Sequence, residues 1–473
     1  MSKYLYGASV QGIQEFIFAT NELKSIIGAS EIIENMNKII SEKYEKHIVI
    51  NAAGNIKLVF DEKTEFEELV KYFVKKQKQK AFGITISQAV VPFDEGGLKD
   101  AFGRLEQKLM ISRNQPEIPL DMSINIMDIA PKTARPLVSS DLDMATYQKE
   151  AAYIQDEEYG EITNVKNAKN KIAIIHADGN GLGTLISSMS KEMHSDEEVI
   201  SIFKQFSVDL KQAMDNAVIA ATKKTSGIKL RKVILGGDDL TVICDANSAL
   251  LFTQYFLEAF EKETEKMGGL TACAGIAYCN YKYPFHYAVN LAESLCSESK
   301  KHSREINEHT PPSSLMFHNI QSSNFSTYQD YIDKELTVNS DEDKVYLNYG
   351  PYFIHETKNY SSIRSFLTLS NALNQSGSPL SRLRDWLTIL GQDAVAAKTR
   401  LERINQMMEL KQDIYSKAIL QKCLKMFHKD ITLDTLLLKR KDDNYTPIYD
   451  VITHLSVSDI GKQTFKKEDC DAV

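Results

Sequence analysis

The sequence predicts an α+β protein made of two ferredoxin-like units, a polar connector between them and a C-terminal helical bundle. Three observations carry this: a β, α, β, β, α, β, α order of apolar runs from Lys171 to Lys301, a weaker N-terminal copy of that order, and sustained helical periodicity after residue 380. A chain of 473 residues, 43% hydrophobic and 25% charged, is long enough for several domains.

Lys171 to Ala177 is a β-branched apolar run that ends in Asp178-Gly179-Asn180-Gly181, the pattern of a buried strand entering a glycine-rich turn. Val199, Phe203, Phe206, Leu210, Ala213, Ala217 and Ala221 then recur at three and four and place one apolar stripe on a helix. Val233-Ile234-Leu235, the turn Gly236-Gly237-Asp238-Asp239 and Leu240 to Cys244 read as a hairpin. A helix from about Ser248 to Lys266, a Gly268-Gly269 break and a strand from Leu270 to Ala277 follow. Pro284 opens a last helix carrying Ala288, Leu291, Ala292 and Leu295.

In a split βαβ arrangement the right-handed crossover makes the first and second strands parallel, with the third between them. Asp178, past strand one, and Asp238 and Asp239, past strand two, are therefore expected at one sheet edge although about 60 residues separate them. At the N-terminus, Leu5 to Gly12 overlays Ile174 to Gly181 without a gap, putting Ser9 on Asp178 and Gly12 on Gly181. An Ile-rich helix and a hairpin from His47 to Phe60 follow, with Ala52-Ala53-Gly54-Asn55 in place of Gly236-Gly237-Asp238-Asp239. The first copy thus lacks the acids; a chance overlay of two common patterns is the alternative. The expected divisions are 1–95 (degenerate first unit), 96–165 (connector with Pro116, Pro119, Pro131 and Pro136), 166–335 (the unit carrying the acids) and 336–473. An exposed loop is expected at 339–343, and helices at Leu380 to Leu390 and Asp393 to Phe427.

A formal net charge of −8 argues against a surface devoted to long nucleic acid, and the basic stretches Lys71 to Lys80 and Lys223 to Lys232 read as solvated faces. Six cysteines without a CxxC pair signal neither a disulfide framework nor structural zinc. With no membrane-length apolar run and no basic-then-apolar start, the chain is expected to be cytoplasmic and without a membrane partner. GxxxxGK[ST], HExxH and a His-Asp dipeptide are all absent from the sequence.

Three carboxylates at one edge repel one another unless a cation neutralises them. Two Mg²⁺ or Mn²⁺ ions suit hard oxygen ligands and phosphoryl transfer, and Gly179, Gly181, Gly236 and Gly237 leave room for a triphosphate near the backbone. Each motif alone is also what a plain turn gives. Gly179-x-Gly181-x-Gly183 also has a dinucleotide-fingerprint look, but its third glycine comes one residue early. His176, inside a strand, reads as a satisfied core histidine.

With His176-Ala177-Asp178-Gly179-Asn180-Gly181-Leu182-Gly183, Gly236-Gly237-Asp238-Asp239-Leu240 and Gly275-Ile276-Ala277, residues 171 to 301 resemble the cyclase-type palm of the large subunit of type III CRISPR complexes, the Csm/Cmr large subunit. Gly7 to Phe16 resembles the opening of that family's inactive first palm. The resemblance implies two palm domains and polymerisation of nucleoside triphosphates, typically ATP, into cyclic oligonucleotide or dinucleotide messengers in antiviral defence. It implies that Asp178 and Asp238 hold two metal ions, that Asp239 completes the site, and that Lys300 reaches the triphosphate. Asn180 stands where the family often has a second acid, and is expected to contact ribose or base. An upstream His-Asp nuclease domain and the connector's zinc cysteines are missing, so the chain reads as a minimal, free-standing relative, with an enzyme that awaits an RNA or protein activator as the other reading. The alternatives are a non-catalytic, RNA-bound scaffold subunit and a purine-nucleotide cyclase working as a head-to-tail homodimer.

Overall fold

The computed structural model describes residues 3–20, 22–52, 55–115, 126–153, 162–182, 185, 189, 195–321, 328–339, 344–357, 359–410, 417–441 and 443–459. Pro116, Pro119, Ala53, Gly54, Gly183, the expected loop at 340–343 and Cys470 lie outside them.

The first unit is formed by β1 (Lys3–Gln11), β2 (Ile48–Ala52), β3 (Asn55–Phe60) and β4 (Thr85–Phe93). Their order, β2-β3-β1-β4, with every neighbouring pair antiparallel, is the ferredoxin-like arrangement. Helices Leu23–Tyr44 and Lys63–Lys80 make the crossovers. Tyr6, Ala8 and Val10 of β1 face these helices, while Leu5 faces helix Leu98–Arg113, as the period of two in a strand dictates. That last helix falls in the expected connector, yet it packs on β1 and β4; Gly7 admits it, because a Cβ there would stand 2.7 Å from a Leu105 methyl. Beyond it the connector holds a small hairpin of β5 (Leu137–Ser139) and β6 (Leu142–Asp143), and a helix at Met144–Ala151 that packs on Leu23–Tyr44.

The second unit repeats the design with β7 (Lys171–Asn180), β8 (Leu230–Gly236), β9 (Asp239–Asp245) and β10 (Thr271–Asn280) in the order β10-β7-β9-β8. Ala173, Ile175 and Ala177 face helices Asp196–Lys224 and Ala249–Glu263. Ile172 and Ile174 face helix Phe285–Ile306 and the first unit. The sheet then continues past the expected edge, with β11 (Ser314–Asn319) parallel to β10 and β14 (Tyr352–Phe353) antiparallel to β11. Helix Phe285–Ile306 is the crossover that makes β10 and β11 parallel.

The two units pack head to tail. Helix Leu23–Tyr44 of the first lies against β8, and helix Asp196–Lys224 of the second lies against β2 and helix Leu98–Arg113. Ser30 donates its hydroxyl to the Val233 carbonyl at this interface. Two units of like topology thus meet within one chain. The C-terminal region is helical as expected, with Ile363–Leu373, Leu380–Leu390, Ala394–Leu410, Lys417–Phe427 and Ile448–Val457 burying Phe366 and Trp386. It is not purely a bundle: β12 (Thr337–Asn339), β13 (Lys344–Tyr346), β15 (Leu438–Arg440) and β16 (Asp443–Tyr445) form a sheet in the order β12-β13-β16-β15. These strands are only three residues long, too short to leave an alternation in the sequence. Among the described residues no helix is long and apolar enough to cross a membrane.

Candidate active site

Asp178 lies two residues past His176 on β7, and the antiparallel register with β9 sets it opposite Asp239. Gly236 pairs with Asp239 across β8 and β9, so Gly237 and Asp238 form a two-residue hairpin loop. Gly237 adopts φ +62°, the left-handed conformation a primed turn asks of its first loop residue. The turn is tied back to β7 by the Gly179 N–H, which donates to the Asp238 carbonyl at 3.1 Å. A Cβ on Gly179 would stand 2.8 Å from that of Asp238, so glycine at 179 serves the approach of the hairpin. As a result, carboxylate oxygens of Asp178, Asp238 and Asp239 lie within 4.8 Å of one another.

Burial, and then the neighbouring Asp178 charge, push Asp238 up to about 6 and Asp239 up to about 7. Lys300, on helix Phe285–Ile306, donates to Asp178 Oδ2 and, at 2.8 Å, to the Gly179 carbonyl. His176 is two residues upstream on the same face; its Nδ1 lies 3.1 Å from Thr241 Oγ1, and burial lowers it to about 4, keeping the ring neutral near neutral pH. It is a satisfied, buried histidine that also lines the cleft.

Asp239 of this cluster lines a cleft of about 910 Å³ between the two units. Gly236, Gly237, Asp239 and Lys232 line one wall, Gly12, Glu31 and Asn51 the other, with Lys204 and Lys211 from helix Asp196–Lys224; Glu15, Glu34, Lys38 and Glu45 of the first unit also line it. Lys204, Lys211 and Lys232 were not legible as a site: Lys232 belongs to a run that reads as a solvated face, and only the seven-residue spacing of Lys204 and Lys211 hints at one helical face.

Asn180 does not join the cleft. It is 4% exposed, and its Nδ2 donates to Thr271 Oγ1 at 3.1 Å and Cys273 Sγ at 3.3 Å. Gly181, at φ +73°, turns the chain out of β7, and Leu185 N donates to its carbonyl at 2.9 Å.

The first unit keeps the scaffold of this site with its chemistry removed. Ser9 pairs with Asn55 as Asp178 pairs with Asp239, and Gly12 shares the positive φ of Gly181. Arg113, on helix Leu98–Arg113, donates to Ser9 Oγ at 2.9 Å, as Lys300 does to Asp178 from the matching helix.

Residues 171–309 match the family model of the second palm domain of Cas10/Cmr2. A Csm1-Csm4 cassette in complex with pppApApA superposes with a TM-score of 0.57 at 14% identity, covering 96% of this chain and 69% of that one. The cassette in complex with cA4 gives 0.54 at 13%, with the same coverage. The match to the cassette in complex with AMPPNP covers 64% of this chain and 53% of that one, at 14% identity and a TM-score of 0.47, so there the chain spans about half of its counterpart's length. No curated protein matches the chain. Residues 171–309 are a second palm domain of the Cas10/Cmr2 type, and through it the chain is a relative of the large subunit of type III CRISPR complexes.

Proposed function

We propose that this protein joins nucleoside triphosphates, ATP foremost, into a cyclic oligonucleotide at the Asp178, Asp238 and Asp239 cluster. The observation that carries the reading is the convergence of three carboxylates, one of which, Asp239, lines a cleft whose walls also hold Lys38, Lys204, Lys211 and Lys232. Related structures of this fold were solved with pppApA, pppApApA, cA3 and cA4, which are a linear series and its cyclic products.

The donor set suits Mg²⁺ or Mn²⁺: hard carboxylate oxygens, mutually repelling, with only the Lys300 ammonium against them. Two such ions held by Asp178, Asp238 and Asp239 would polarise a ribose hydroxyl and neutralise a departing pyrophosphate. Lys300 exchanges Asp178 for phosphate oxygens when a triphosphate enters, an ammonium being a mobile point charge on a flexible stem. Gly236 and Gly237 present backbone without side chains to the polyphosphate, while Lys232 from the same wall and Lys204 and Lys211 from helix Asp196–Lys224 balance its charge. A ribose hydroxyl oxygen bonds to the α-phosphorus, the bond from that phosphorus to the pyrophosphate oxygen breaks, and the hydroxyl proton leaves to solvent. His176, neutral and hydrogen-bonded to Thr241, shapes the floor without exchanging protons. The first unit supplies the facing wall, where a second nucleotide is presented. By analogy with the Csm1-Csm4 cassettes, a protein partner accompanies the chain; an RNA activator, antiviral defence and the cytoplasm complete the proposed setting.

The test incubates the full chain with Mg²⁺ or Mn²⁺ and each nucleoside triphosphate, singly and mixed, and resolves products by mass spectrometry beside the Asp238→Ala/Asp239→Ala double variant. Cyclic products formed by the native chain alone support the reading. Equal product from the folded double variant would refute it, and stable, salt-sensitive RNA copurification without turnover would favour the scaffold reading.

A further inference from the structure

The C-terminal helices carry a second cationic feature, remote from the palm cleft and unused by the reaction above. Helices Leu380–Leu390 and Ala394–Leu410 form a hairpin across the short 391–393 connection. Between them lies a cavity of about 250 Å³ lined by Arg382, Arg400, Arg403, Ile404 and Met407.

One carboxylate answers these three guanidinium groups. Arg400 Nη2 donates to Asp385 Oδ2 at 2.7 Å, while no carboxylate among the described residues pairs with Arg382 or Arg403. The Nε of Arg400 is buried and has no acceptor. A solvated surface arginine has no such deficit: its free N–H groups meet water, whereas a buried donor without an acceptor is a standing cost of the fold. The two apolar residues in the lining, Ile404 and Met407, strengthen any charge interaction made against them by excluding water.

We infer that the Arg382, Arg400 and Arg403 pocket binds a terminal phosphate group, a phosphomonoester carried by a nucleotide or by an RNA 5′ end. Three guanidinium charges less the Asp385 carboxylate leave a surplus of two, which matches a phosphomonoester at about −1.5 to −2 near neutral pH better than the single charge of a carboxylate or an internal phosphodiester. Guanidinium forks pair with phosphate oxygens two at a time, so groups from two helices can enclose one tetrahedral anion. At about 250 Å³ the cavity is smaller than the roughly 300 Å³ at which pockets begin to enclose whole drug-sized ligands, so it takes the phosphate and leaves the rest of the ligand outside.

The experiment titrates the full chain, in EDTA to keep divalent ions away from the palm carboxylates, with inorganic phosphate, AMP, and a ten-nucleotide RNA bearing either a 5′-phosphate or a 5′-hydroxyl. Binding is read by calorimetry in the native chain and in Arg382→Gln and Arg403→Gln, two separate variants that remove side chains with no partner in the fold. Arg384→Gln, on the same helix but outside the pocket, is the control. The expected result is that the 5′-phosphorylated RNA or AMP binds at least about tenfold more tightly than the hydroxyl RNA, and that both pocket variants lose about tenfold or more while the control does not. Tighter binding of AMP identifies a free nucleotide as the source, and tighter binding of the phosphorylated RNA identifies an RNA end. Equal affinity for the two RNAs with no binding of phosphate or AMP, or unchanged binding in either folded pocket variant, would overturn the inference. Turnover in the palm does not enter any of these readouts, so failure here leaves the proposed reaction standing.

Discussion

Asp238 and Asp239 hold the electrostatic tension of the palm. An unfolded aspartate titrates near ~3.9, whereas these two sit at about 6 and about 7, so between roughly pH 4 and 7 the folded chain keeps protons that the unfolded chain has lost. Stability from this source is therefore present at the acidic end and is lost as pH rises through the folded values. Without metal, thermal melts of the native chain should lose more stability between about pH 5.5 and 7.5 than those of Asp239→Asn, and Mg²⁺ should stabilise the native chain more at the higher pH. Identical pH profiles for the two proteins would show that the carboxylates are not coupled. Lys300 offers a second residue-scale test. Its ammonium meets both Asp178 and the Gly179 carbonyl, so Lys300→Ala should reduce product formation by about 10- to 100-fold, whereas an unchanged rate would make it a helix-surface lysine. At this scale the acids were legible only as a pair of motifs, since either alone is also what a plain turn gives and it is the strand order that sets both at one sheet edge. Arg113 was not, since its partner Ser9 lies 104 residues away and neither residue is unusual in its own neighbourhood.

Among the elements, two glycines set where the strands and helices stop approaching one another. Gly179→Ala places a Cβ at 2.8 Å from that of Asp238, and the hairpin must retreat from β7. Mn²⁺ affinity, measured by calorimetry, should fall about tenfold or more while the protein stays folded; full affinity would mean that the turn can shift without disturbing the carboxylates. Gly275 is more demanding, because a Cβ there would come within 2.0 Å of the Ala292 carbonyl, which is backbone on helix Phe285–Ile306. Gly275→Ala should cost about 3 kcal/mol or more in denaturant unfolding, and a loss under about 1 kcal/mol would contradict the close helix-to-sheet contact. The strands of the second unit and the hairpin of the first were readable as apolar runs between turn residues, and β1 through its overlay on Ile174 to Gly181; β4 was given no reading. β11 and the helix at Leu98–Arg113 were assigned no place on a sheet, since a six-residue run gives no sign of which sheet it extends, and an amphipathic helix does not name the strand it covers.

Over the whole molecule, function rests on two similar units with unequal contents. Each lends its first crossover helix to the other, and the sheet edge that carries Asp178 and Asp239 in the second unit carries Ser9 and Asn55 in the first. This arrangement gives the protein one edge with clustered carboxylates and one without them. The head-to-tail packing was not legible in the sequence, because it depends on side chains such as Ser30 and Val233 that are individually ordinary. The most direct measurement is anomalous diffraction from crystals of the full chain soaked with Mn²⁺ and a non-hydrolysable ATP analogue. The account predicts manganese peaks among Asp178, Asp238 and Asp239, the triphosphate in the cleft between the units, and Lys300 drawn from Asp178 to phosphate. Nucleotide bound elsewhere, with no manganese at the three carboxylates and Lys300 still on Asp178, would contradict it.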